Sequence, residues 1–331
     1  MATSYVAPAN NGTAGTKDGT YAMPALNYAD DYQRSLEQNF PWVLNYGALY
    51  ATPNNNRYRW VNSKTIEIPS ISTSGRVDAD RDTIAFAQRN YQNAWVAKTL
   101  KNERKWSTLV HPRDIDETNM VATIGNITKV FNEEHKFPEM DAYTISEIYA
   151  QWTASKNPDT GADQVADTTV LTTANILQVF DSLMLKMDNG RVPGNGRILY
   201  VPFEVQYLLK EAEKISRSMD ITSGPNAIDR RVNRLDQVQI IGVPATLMKT
   251  LYDFTTDYKV DDDAQQINMF LVHPTAVITP VSYTFSRLDA PSAMSEGKYV
   301  YYEESFEDVF ILENKSNAIQ FNVSNGGGTQ S

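Results

Sequence analysis

The sequence predicts an α+β protein, and patterns of two kinds point to that class. Apolar residues recur at helical spacing in 116–131 and again in 176–187. Short apolar runs of strand length occur at 197–201, 238–243 and 267–272. The stretch 299–323 is rich in aromatic and β-branched residues, which are typical of strands. Helix and strand patterns therefore alternate along one chain of 331 residues.

The composition excludes several classes of protein. The chain has no cysteine, which removes disulfides, thiolate metal sites and cysteine nucleophiles. Hydrophobic residues make up 41% of the sequence, so disorder throughout the chain is excluded. No apolar run approaches the roughly 20 residues that a membrane helix needs. The N-terminus has the pattern of neither a signal peptide nor a transit peptide. We therefore expect no association with a membrane.

The first 30 residues are predicted to form an arm. Residues 1–30 are rich in Asn, Gly, Ala, Thr and Pro and follow neither the helical nor the strand period. Such a segment cannot bury a core of its own, so its order has to come from a surface that it lies against. Residues 31–50 add aromatic side chains but are interrupted by Pro41 and Gly47.

A long hairpin with a polar tip is predicted next. Residues 57–71 (RYRWVNSKTIEIPSI) contain many strand formers, and Pro69 indicates either an edge position or the end of that strand. The residues that follow, STSGRVDADRD, are almost entirely polar. Apolar and aromatic side chains return from Ile84 onward, and the returning strand is expected around Lys98–Val110.

A long helix is expected after the hairpin. In 116–131 the apolar residues lie on one face, and Asp116 is a candidate N-cap with acidic residues in the first turn. Pro138 is expected to end this helix, because proline removes a backbone donor and clashes with the preceding turn. A second helical period covers Ile145–Trp152.

Two shorter helices are predicted in the second half of the chain. One covers 176–187, with Thr172 or Thr173 as its cap and a stop at Asn189-Gly190. The other covers 203–215 and directly follows the buried strand at 197–201. Its preceding residue, Pro202, suits the start of a helix.

No constellation typical of a catalytic, cofactor or metal site is present in the sequence. His111, His135 and His273 are not spaced as paired metal ligands. The sequence GRVPGNG at 190–196 looks like a nucleotide loop, but it follows a helix and precedes a strand. Phosphate binding needs the reverse order, with the helix N-terminus facing the phosphate. We therefore expect a structural turn there, and no catalytic residue, cofactor or metal ligand anywhere in the chain.

Three carboxylates at the start of the predicted long helix have two interpretations. Asp114, Asp116 and Glu117 are close in sequence, and the simpler interpretation is that they cap the helix and compensate its dipole. The alternative is a soluble enzyme that uses carboxylate chemistry, with these three residues as its best candidates. The sequence favours the first interpretation.

Charge is distributed unevenly along the chain. The formal net charge is −10, yet residues 57–113 contain eleven basic and five acidic residues, a net charge of +6 that leaves −16 elsewhere. One hypothesis is nucleic-acid binding, in which Arg57, Tyr58, Arg59 and Trp60 stack on bases. The other is that a positive hairpin lies over an acidic neighbouring copy, with complementary potentials directing the contact. The second is favoured because it explains both halves of the asymmetry.

The order of these segments resembles that of the major capsid proteins of tailed bacteriophages, which share the Hong Kong 97-type fold. The stretch WVNSKTIEIPSISTSGRVDADRD looks like the extended loop (E-loop) of that family. TLKNERKWSTLVHPRDIDETNMVATIGNITKVFNEEHKFPEMDAY looks like its return strand running into the spine helix. FEDVFILENKSNAIQF looks like its closing strands. The likeness covers about residues 40–325.

The resemblance implies a division of the chain into parts. Residues 1–48 would be the N-terminal arm and 49–113 the E-loop hairpin with its flanks. Residues 114–165 and 285–325 would form the peripheral domain, residues 166–284 the axial domain, and residues 326–331 a flexible tail. Asp114, Asp116 and Glu117 would then mark the start of the spine helix.

The resemblance also implies a function and a set of partners. The chain would be a shell protein without enzymatic activity that assembles in the host bacterial cytoplasm and resides in the virion. Its partners would be its own copies in hexamers and pentamers, a scaffolding protein, a portal and decoration proteins. The shell would enclose double-stranded DNA without sequence-specific binding. Contacts between copies are expected at five residues of the E-loop, which are Arg76, Arg81, Asp78, Asp80 and Lys64.

Two departures from related capsid proteins shape these expectations. The tip at 70–83 has no lysine, so covalent crosslinking at the tip is not predicted. Residues 1–40 are too short and too poor in helical pattern for a fused scaffolding extension, so a separate scaffolding protein is predicted. An encapsulin-like shell of a cellular compartment, built on the same fold, is the main alternative.

Overall fold

The computed structural model describes residues 42–76, 91–117, 123–212, 234–235 and 237–324. Helices and strands are interleaved throughout this part of the chain, as the sequence predicts. Two of the five expected contact residues, Lys64 and Arg76, are among the described residues. The other three, Asp78, Asp80 and Arg81, lie outside them, as do most of the predicted arm and the tail at 326–331.

In the described residues of the first half, from 42 to 154, four strands and four α-helices occur. In chain order they are α1 (Gly47–Tyr50), β1 (Arg59–Asn62), β2 (Thr65–Thr73), β3 (Tyr91–Thr99), β4 (Glu103–Val110), α2 (Pro112–Glu117), α3 (Ile124–Phe131) and α4 (Phe137–Ala154). A π-helical turn, Asn132–Lys136, joins α3 to α4, so the backbone stays helical from residue 124 to residue 154.

The described residues that follow, from 155 to 324, add two α-helices and eleven strands. They are α5 (Ile176–Asn189), β5 (Ile198–Pro202), α6 (Phe203–Glu211), β6 (Arg234–Leu235), β7 (Val238–Val243), β8 (Tyr252–Asp253), β9 (Lys259–Val260), β10 (Ile267–Val272), β11 (Val277–Ile278), β12 (Val281–Asp289), β13 (Tyr299–Glu307), β14 (Phe310–Ile311) and β15 (Ile319–Val323). The three short apolar runs of the sequence correspond to β5, β7 and β10, which confirms those predictions.

A five-stranded sheet forms the centre of the body, with the strand order β15-β10-β5-β7-β6. Only the β5–β7 pair is parallel among its described pairs. All five residues of β5 are buried, because helices cover both faces of the sheet. This explains why the sequence of β5 is a continuous apolar run and does not alternate between apolar and polar residues.

Alternation along the sheet divides its side chains between two cores. Tyr200 faces a core that includes Ile145 and Trp152 of α4. Its neighbours in sequence, Leu199 and Val201, face the opposite core, formed with α5 and α6. Successive residues of a strand point to opposite faces, so a single sheet organises both cores.

Five aromatic side chains connect the N-terminal segment, the sheet and the long helix. Tyr46 contacts Tyr200 at 4.7 Å between ring centroids, and Tyr200 stacks on Phe270 at 5.5 Å. Phe270 stacks on Phe321 at 4.8 Å, and Phe321 meets Trp152 at 5.1 Å. All five are buried, so each contributes a large apolar surface and favourable ring geometry to the same core.

The long helix departs from two predictions. Asp116 is not its N-cap, because Asp116 lies inside α2, and Thr123 caps α3 by accepting a hydrogen bond from Asn126 N–H. Pro138 does not end the helix either. Proline fits here because it lies in the first turn after the π-helical turn, where the register of the backbone hydrogen bonds already changes.

The hairpin consists of β2 and β3, paired from Thr65↔Thr99 to Thr73↔Tyr91. Pro69 lies within β2, beyond the end of the short neighbouring β1, and this confirms the edge position and not the strand end. The predicted return at Lys98–Val110 is wrong for its larger part. Residues 103–110 form β4, which leaves the hairpin and pairs with β13 in the sheet β12-β13-β4.

Capping of α5 also differs from the prediction. Neither Thr172 nor Thr173 caps the helix with its side chain, since the residue before Ile176 is Asn175. Asn175 instead uses its Oδ1 to accept the Thr172 N–H and so closes the loop in front of the helix. The predicted stop at Asn189-Gly190 is confirmed.

The predicted division of the chain into parts does not coincide with the strands and their pairing. The boundary between residues 284 and 285 lies within β12, which runs from Val281 to Asp289. Strand β15, expected in the peripheral part, pairs with β10 of the central sheet. Elements from both predicted parts therefore share one sheet.

Gly190 is predicted to tolerate no side chain. A Cβ at this position would lie 2.7 Å from Asn317 Cβ, whose own side chain is buried and bonded to Asp159. We expect Gly190→Ala to lower the free energy of unfolding by about 1–3 kcal/mol, the cost of overpacking a filled site. Gly194→Ala is the matched control, since no atom lies within 4 Å of its Cβ position. Urea unfolding compares the two, and equal stabilities would contradict this packing.

Candidate assembly surfaces

The hairpin has two chemically different faces. Residues directly opposite each other in an antiparallel pair share a face, so the register assigns every side chain. One face carries Ile66 and Ser70, and the other carries Glu67, Pro69 and Ile71. Among the described residues, only the first is held against the body of the protein.

The inward face is held at its base by apolar and polar contacts. Ile66 is fully buried and packs in a small cluster that includes Phe306 and Phe310. Lys98 Nζ lies 2.6 Å from Glu313 Oε1, and Asn314 donates to Ser70 Oγ at 3.4 Å. These contacts fix the direction in which the hairpin leaves the body.

The outward face carries large apolar side chains that remain accessible to solvent. Ile71 is 72% exposed, Tyr91 54% and Trp95 44%. Pro69, directly opposite Trp95, is exposed as well. A continuous apolar strip along a projecting hairpin is typical of a surface that another protein covers. We call this strip of Pro69, Ile71, Tyr91 and Trp95 the outward strip.

Several basic residues of 57–113 are paired with carboxylates of the same chain. Of the nine that the structure describes, five form ion pairs, namely Arg59 with Glu67, Lys64 with Glu103, Lys98 with Glu313, Arg104 with Glu139 and Arg113 with Glu117. Three of these partners, Glu117, Glu139 and Glu313, lie outside the segment. The positive field that the sequence indicates is therefore weaker than its net charge, and the apolar outward strip becomes the stronger feature of the hairpin.

Three of the residues proposed for base stacking already contact other side chains of the same chain. Arg59 donates two hydrogen bonds to Glu67 Oε2 and lies with its guanidinium 4.0 Å from the centre of the Trp95 ring. Tyr58 packs edge-on against Trp60 and joins the cluster around Ile66. These contacts are intramolecular, which favours the interface hypothesis over nucleic-acid binding.

The two described contact residues of the predicted E-loop differ in their surroundings. Arg76 is exposed, three residues beyond the end of β2. Lys64 lies in the turn between β1 and β2. This differs from the prediction, which places it within a strand. Its ammonium group is 3.6 Å from Glu103 Oε2 and 5.3 Å from the centre of the Phe306 ring. Lys64 therefore links the hairpin to the neighbouring sheet of its own chain.

The three carboxylates at 114–117 have different surroundings. Asp116 and Glu117 are exposed on α2, and Glu117 pairs with Arg113 one turn away. Asp114 lies half-buried at the edge of a groove between the long helix and β4. Among the described residues no cluster of three or more His, Asp or Glu side chains is arranged to hold a metal ion.

The histidines make structural contacts. His111 Nδ1 accepts the Arg113 N–H, and His273 bridges Thr275 and the Asn195 carbonyl. His135 Nδ1 is 2.9 Å from Asp257 Oδ2, and this hydrogen bond raises the pKa of His135. GRVPGNG lies between α5 and β5, which agrees with a structural turn. In the described part of the chain no helix is long and apolar enough to cross a membrane.

A buried carboxylate fixes the segment that leads out of the predicted arm. Asp141 of α4 is fully buried and accepts hydrogen bonds from the Asn45 and Tyr46 backbone N–H groups at 2.9 and 3.1 Å. The Asn45 side chain adds a third bond of 2.8 Å. Burial raises the pKa of Asp141 to about 6, against the opposing effect of these donors. No local pattern in the sequence indicates this role, because a buried acid and an exposed acid in a helix have the same sequence signature.

Comparison with solved structures identifies the fold. The chain is similar to the asymmetric unit of the bacteriophage PhiM1 mature capsid, with a TM-score of 0.63, 12% identity, and 91% of this chain and 93% of that chain covered. It is similar to the capsid structure of the cyanophage P-SCSP1u, with a TM-score of 0.61, 11% identity and coverages of 91% and 94%. For the head of the Helicobacter pylori bacteriophage KHP40 the values are 0.54, 10%, 95% and 100%.

The chain therefore has the fold of phage capsid structures, which confirms the fold expected from the order of its segments. The similarity extends over nearly the whole length of both chains in each comparison. No family model matches the sequence, and no curated protein is similar to it. The chains share the fold although only about one residue in ten is identical.

Proposed function

We propose that this chain is the major capsid protein of a tailed bacteriophage and builds the icosahedral shell of its head. The observation that carries the proposal is the projecting hairpin with its uncovered outward strip, on a body that has the fold of phage capsid structures. An exposed apolar strip of this kind is typical of a surface that another protein covers. A shell subunit needs one, because it must bury surface on its neighbours.

In this proposal the hairpin makes the contact with the neighbouring subunit, and the body of the protein holds the hairpin in place. The outward strip presents Ile71, Tyr91 and Trp95 to an adjacent subunit, while Glu313 and Asn314 hold the base of the hairpin from the other side. Apolar area contributes roughly 25 cal/mol per Å² when it leaves water. The same contact repeats at every subunit, so a modest gain at each one stabilises the whole shell.

The parts of the chain have roles in this proposal that follow the capsid resemblance. Residues 1–48 act as the arm, 49–113 as the E-loop hairpin, 114–165 with 285–325 as the peripheral domain, and 166–284 as the axial domain. Hexamers and pentamers of the chain form the shell, together with a scaffolding protein, a portal and decoration proteins. The protein has a structural role and no catalytic one.

The net charge suits a container for double-stranded DNA. A chain with a formal charge of −10 repels phosphates over most of its surface and does not condense onto them. The five internal ion pairs of the hairpin region reduce its affinity for DNA further. The shell thus encloses the genome without sequence-specific binding.

An encapsulin-like compartment shell is the alternative on the same fold. The genes beside the coding sequence distinguish the two, since a portal, terminase and scaffold accompany a phage shell and a cargo enzyme accompanies a compartment. The direct test is electron microscopy of the chain expressed with its neighbouring genes. Closed icosahedral particles support the proposal, and a protein that stays monomeric at high concentration with its scaffold contradicts it.

Charge reversal at the hairpin tip tests the expected electrostatic contact. We expect the double substitution Arg76→Glu and Arg81→Glu to lower particle yield or the temperature at which particles disassemble, because complementary charges direct docking and register. Folding of the isolated subunit should not change, since Arg76 is exposed. Normal yield and heat resistance, measured by sedimentation and light scattering, would remove the tip from the interface.

A further inference from the structure

The outer strand of the three-stranded sheet β12-β13-β4 has an uncovered edge. Among the described residues, β12 pairs with β13 on one side and with no strand on the other. Every residue from Tyr283 to Asp289 is exposed, and the pairing of this stretch with β13 is regular. The stretch contains neither proline nor lysine. Edge strands are usually protected by such residues or by bulges, so this unprotected edge is suited to pairing with another chain.

The direction of the backbone groups on this edge follows from a hydrogen bond between the other two strands. Glu307 N–H of β13 donates to the Asn102 carbonyl at 3.2 Å, on the side of β4. Because backbone groups alternate in direction along a strand, the next residue, Phe306, directs its groups toward β12, where its partner is Tyr283. The odd-numbered residues from Tyr283 to Asp289 therefore bond to β13. The N–H and C=O groups that point outward belong to the even-numbered residues Thr284, Ser286 and Leu288.

The exposed face of β12 has an aromatic half and a charged half. Side chains of the odd-numbered residues share one face, because successive residues of a strand point to opposite sides. Tyr283 and Phe285 stack there at 6.2 Å between ring centroids. Further along the strand, Arg287 and Asp289 form an ion pair of 2.7 Å. These two are the only charged residues in the sequence of β12, so the strand has no net charge that would repel a second copy.

We propose that β12 pairs antiparallel with β12 of a second copy, so that the two three-stranded sheets become continuous. In the register that uses every outward backbone group, Ser286 lies opposite its own equivalent on a two-fold axis, and Thr284 lies opposite Leu288. Such a contact is isologous, because both subunits use the same surface. The pairing is a property of the subunit and does not depend on the proposed shell.

Side-chain complementarity supports this register. Arg287 of each copy lies opposite Phe285 of the other, and a guanidinium is attracted to the face of an aromatic ring. Asp289 of each copy lies opposite Tyr283 of the other, whose hydroxyl donates to the carboxylate. A register centred one residue further along would place the two Arg287 side chains opposite each other, and like charges in that position are destabilising. The aromatic half of each strand thus pairs with the charged half of the other.

Disulfide formation at single cysteines tests the register, since the chain has no cysteine of its own. In Ser286→Cys the two Cα atoms lie about 5.5 Å apart across the axis, a distance that suits a disulfide. In the control Thr284→Cys, also exposed and two residues away, they lie about 13 Å apart along the strands. After mild oxidation of the purified subunit, we expect at least about tenfold more covalent dimer from Ser286→Cys. Equal yields, or more dimer from Thr284→Cys, would overturn the proposal.

A proline substitution tests whether the backbone makes the contact. In the Ser286→Cys background, Leu288→Pro removes an outward N–H that bonds to the second copy, whereas every donor to β13 remains. We expect the yield of covalent dimer to fall several-fold. Leu288→Ala is the matched control, since it removes the same side chain, keeps the N–H and should retain the yield. Circular dichroism establishes that both variants are folded. A yield that proline does not reduce, or that alanine reduces equally, would overturn pairing through this edge.

Discussion

Ile71→Asp should abolish shell assembly while leaving the subunit folded. Ile71 is 72% exposed on the outward strip, so the substitution costs the isolated subunit little. In an assembled shell the same carboxylate would be buried without a partner, at a cost of several kcal/mol. A loss of about 3 kcal/mol at one contact weakens association roughly 100-fold. Every subunit carries the change, so we expect particles to be absent from sedimentation profiles and micrographs.

The neighbouring residue provides the control for this prediction. Ser72 is exposed on the same strand but belongs to the opposite face, opposite Gln92. Ser72→Asp introduces the same charge at almost the same distance from the body and should retain most of the particle yield. Circular dichroism and thermal unfolding establish that both subunits are folded. Assembly lost in both variants, or in neither, would contradict the assignment of the outward strip as the contact surface.

The stability of the unassembled subunit should depend on pH through Asp141. Burial raises the pKa of Asp141 from 3.8 to about 6, so the folded protein holds this proton more tightly than the unfolded chain. The resulting stabilisation is complete below pH 3.8 and is lost as the pH rises through 6. A shift of this size corresponds to about 3 kcal/mol. We therefore expect Asp141 to lower the free energy of unfolding, measured in urea, by about 3 kcal/mol as the pH rises over this range.

Asp141→Asn isolates that contribution from the other titrating groups. The amide does not ionise, so the difference in unfolding free energy between wild type and variant should change by about 3 kcal/mol between pH 4 and pH 7. Asp262→Asn removes an exposed loop carboxylate and should leave the wild-type slope intact. A constant difference between wild type and Asp141→Asn would show that the carboxylate is hydrated and that it does not hold Asn45 and Tyr46 from a buried position.

Predictions from the sequence succeeded where the pattern is local and failed where distant segments compete. Strands β7 and β10 have the predicted bounds, because an apolar run bounded by polar residues identifies a buried strand by itself. Strand β4 was assigned to the wrong partner. Its sequence is compatible with pairing to the edge of either sheet. It leaves the hairpin because β13 lies beside it in the folded chain.

The proposed contact surface shows the same division. The sequence indicated that the hairpin forms a contact, but it attributed that contact to charge. Lys98 is neutralised by Glu313, which lies 215 residues further along the chain, and no local pattern can reveal such a pair. With the charges paired, the outward strip remains as the stronger feature. Asp141 was missed for a related reason, since its importance comes from burial beneath the segment 42–50.

The amino-acid sequence alone determined the α+β class, the order of the segments, the exclusion of cysteine chemistry and the positions of the central strands. These properties depend on composition and on periods of two and 3.6 residues, which are set by backbone geometry. Tertiary structure decided which face of the hairpin is left uncovered, which basic residues keep their charge free, and where the helix accepts the incoming chain. Alternation shows that a strand has two faces, but only packing against the rest of the molecule decides which of them is buried.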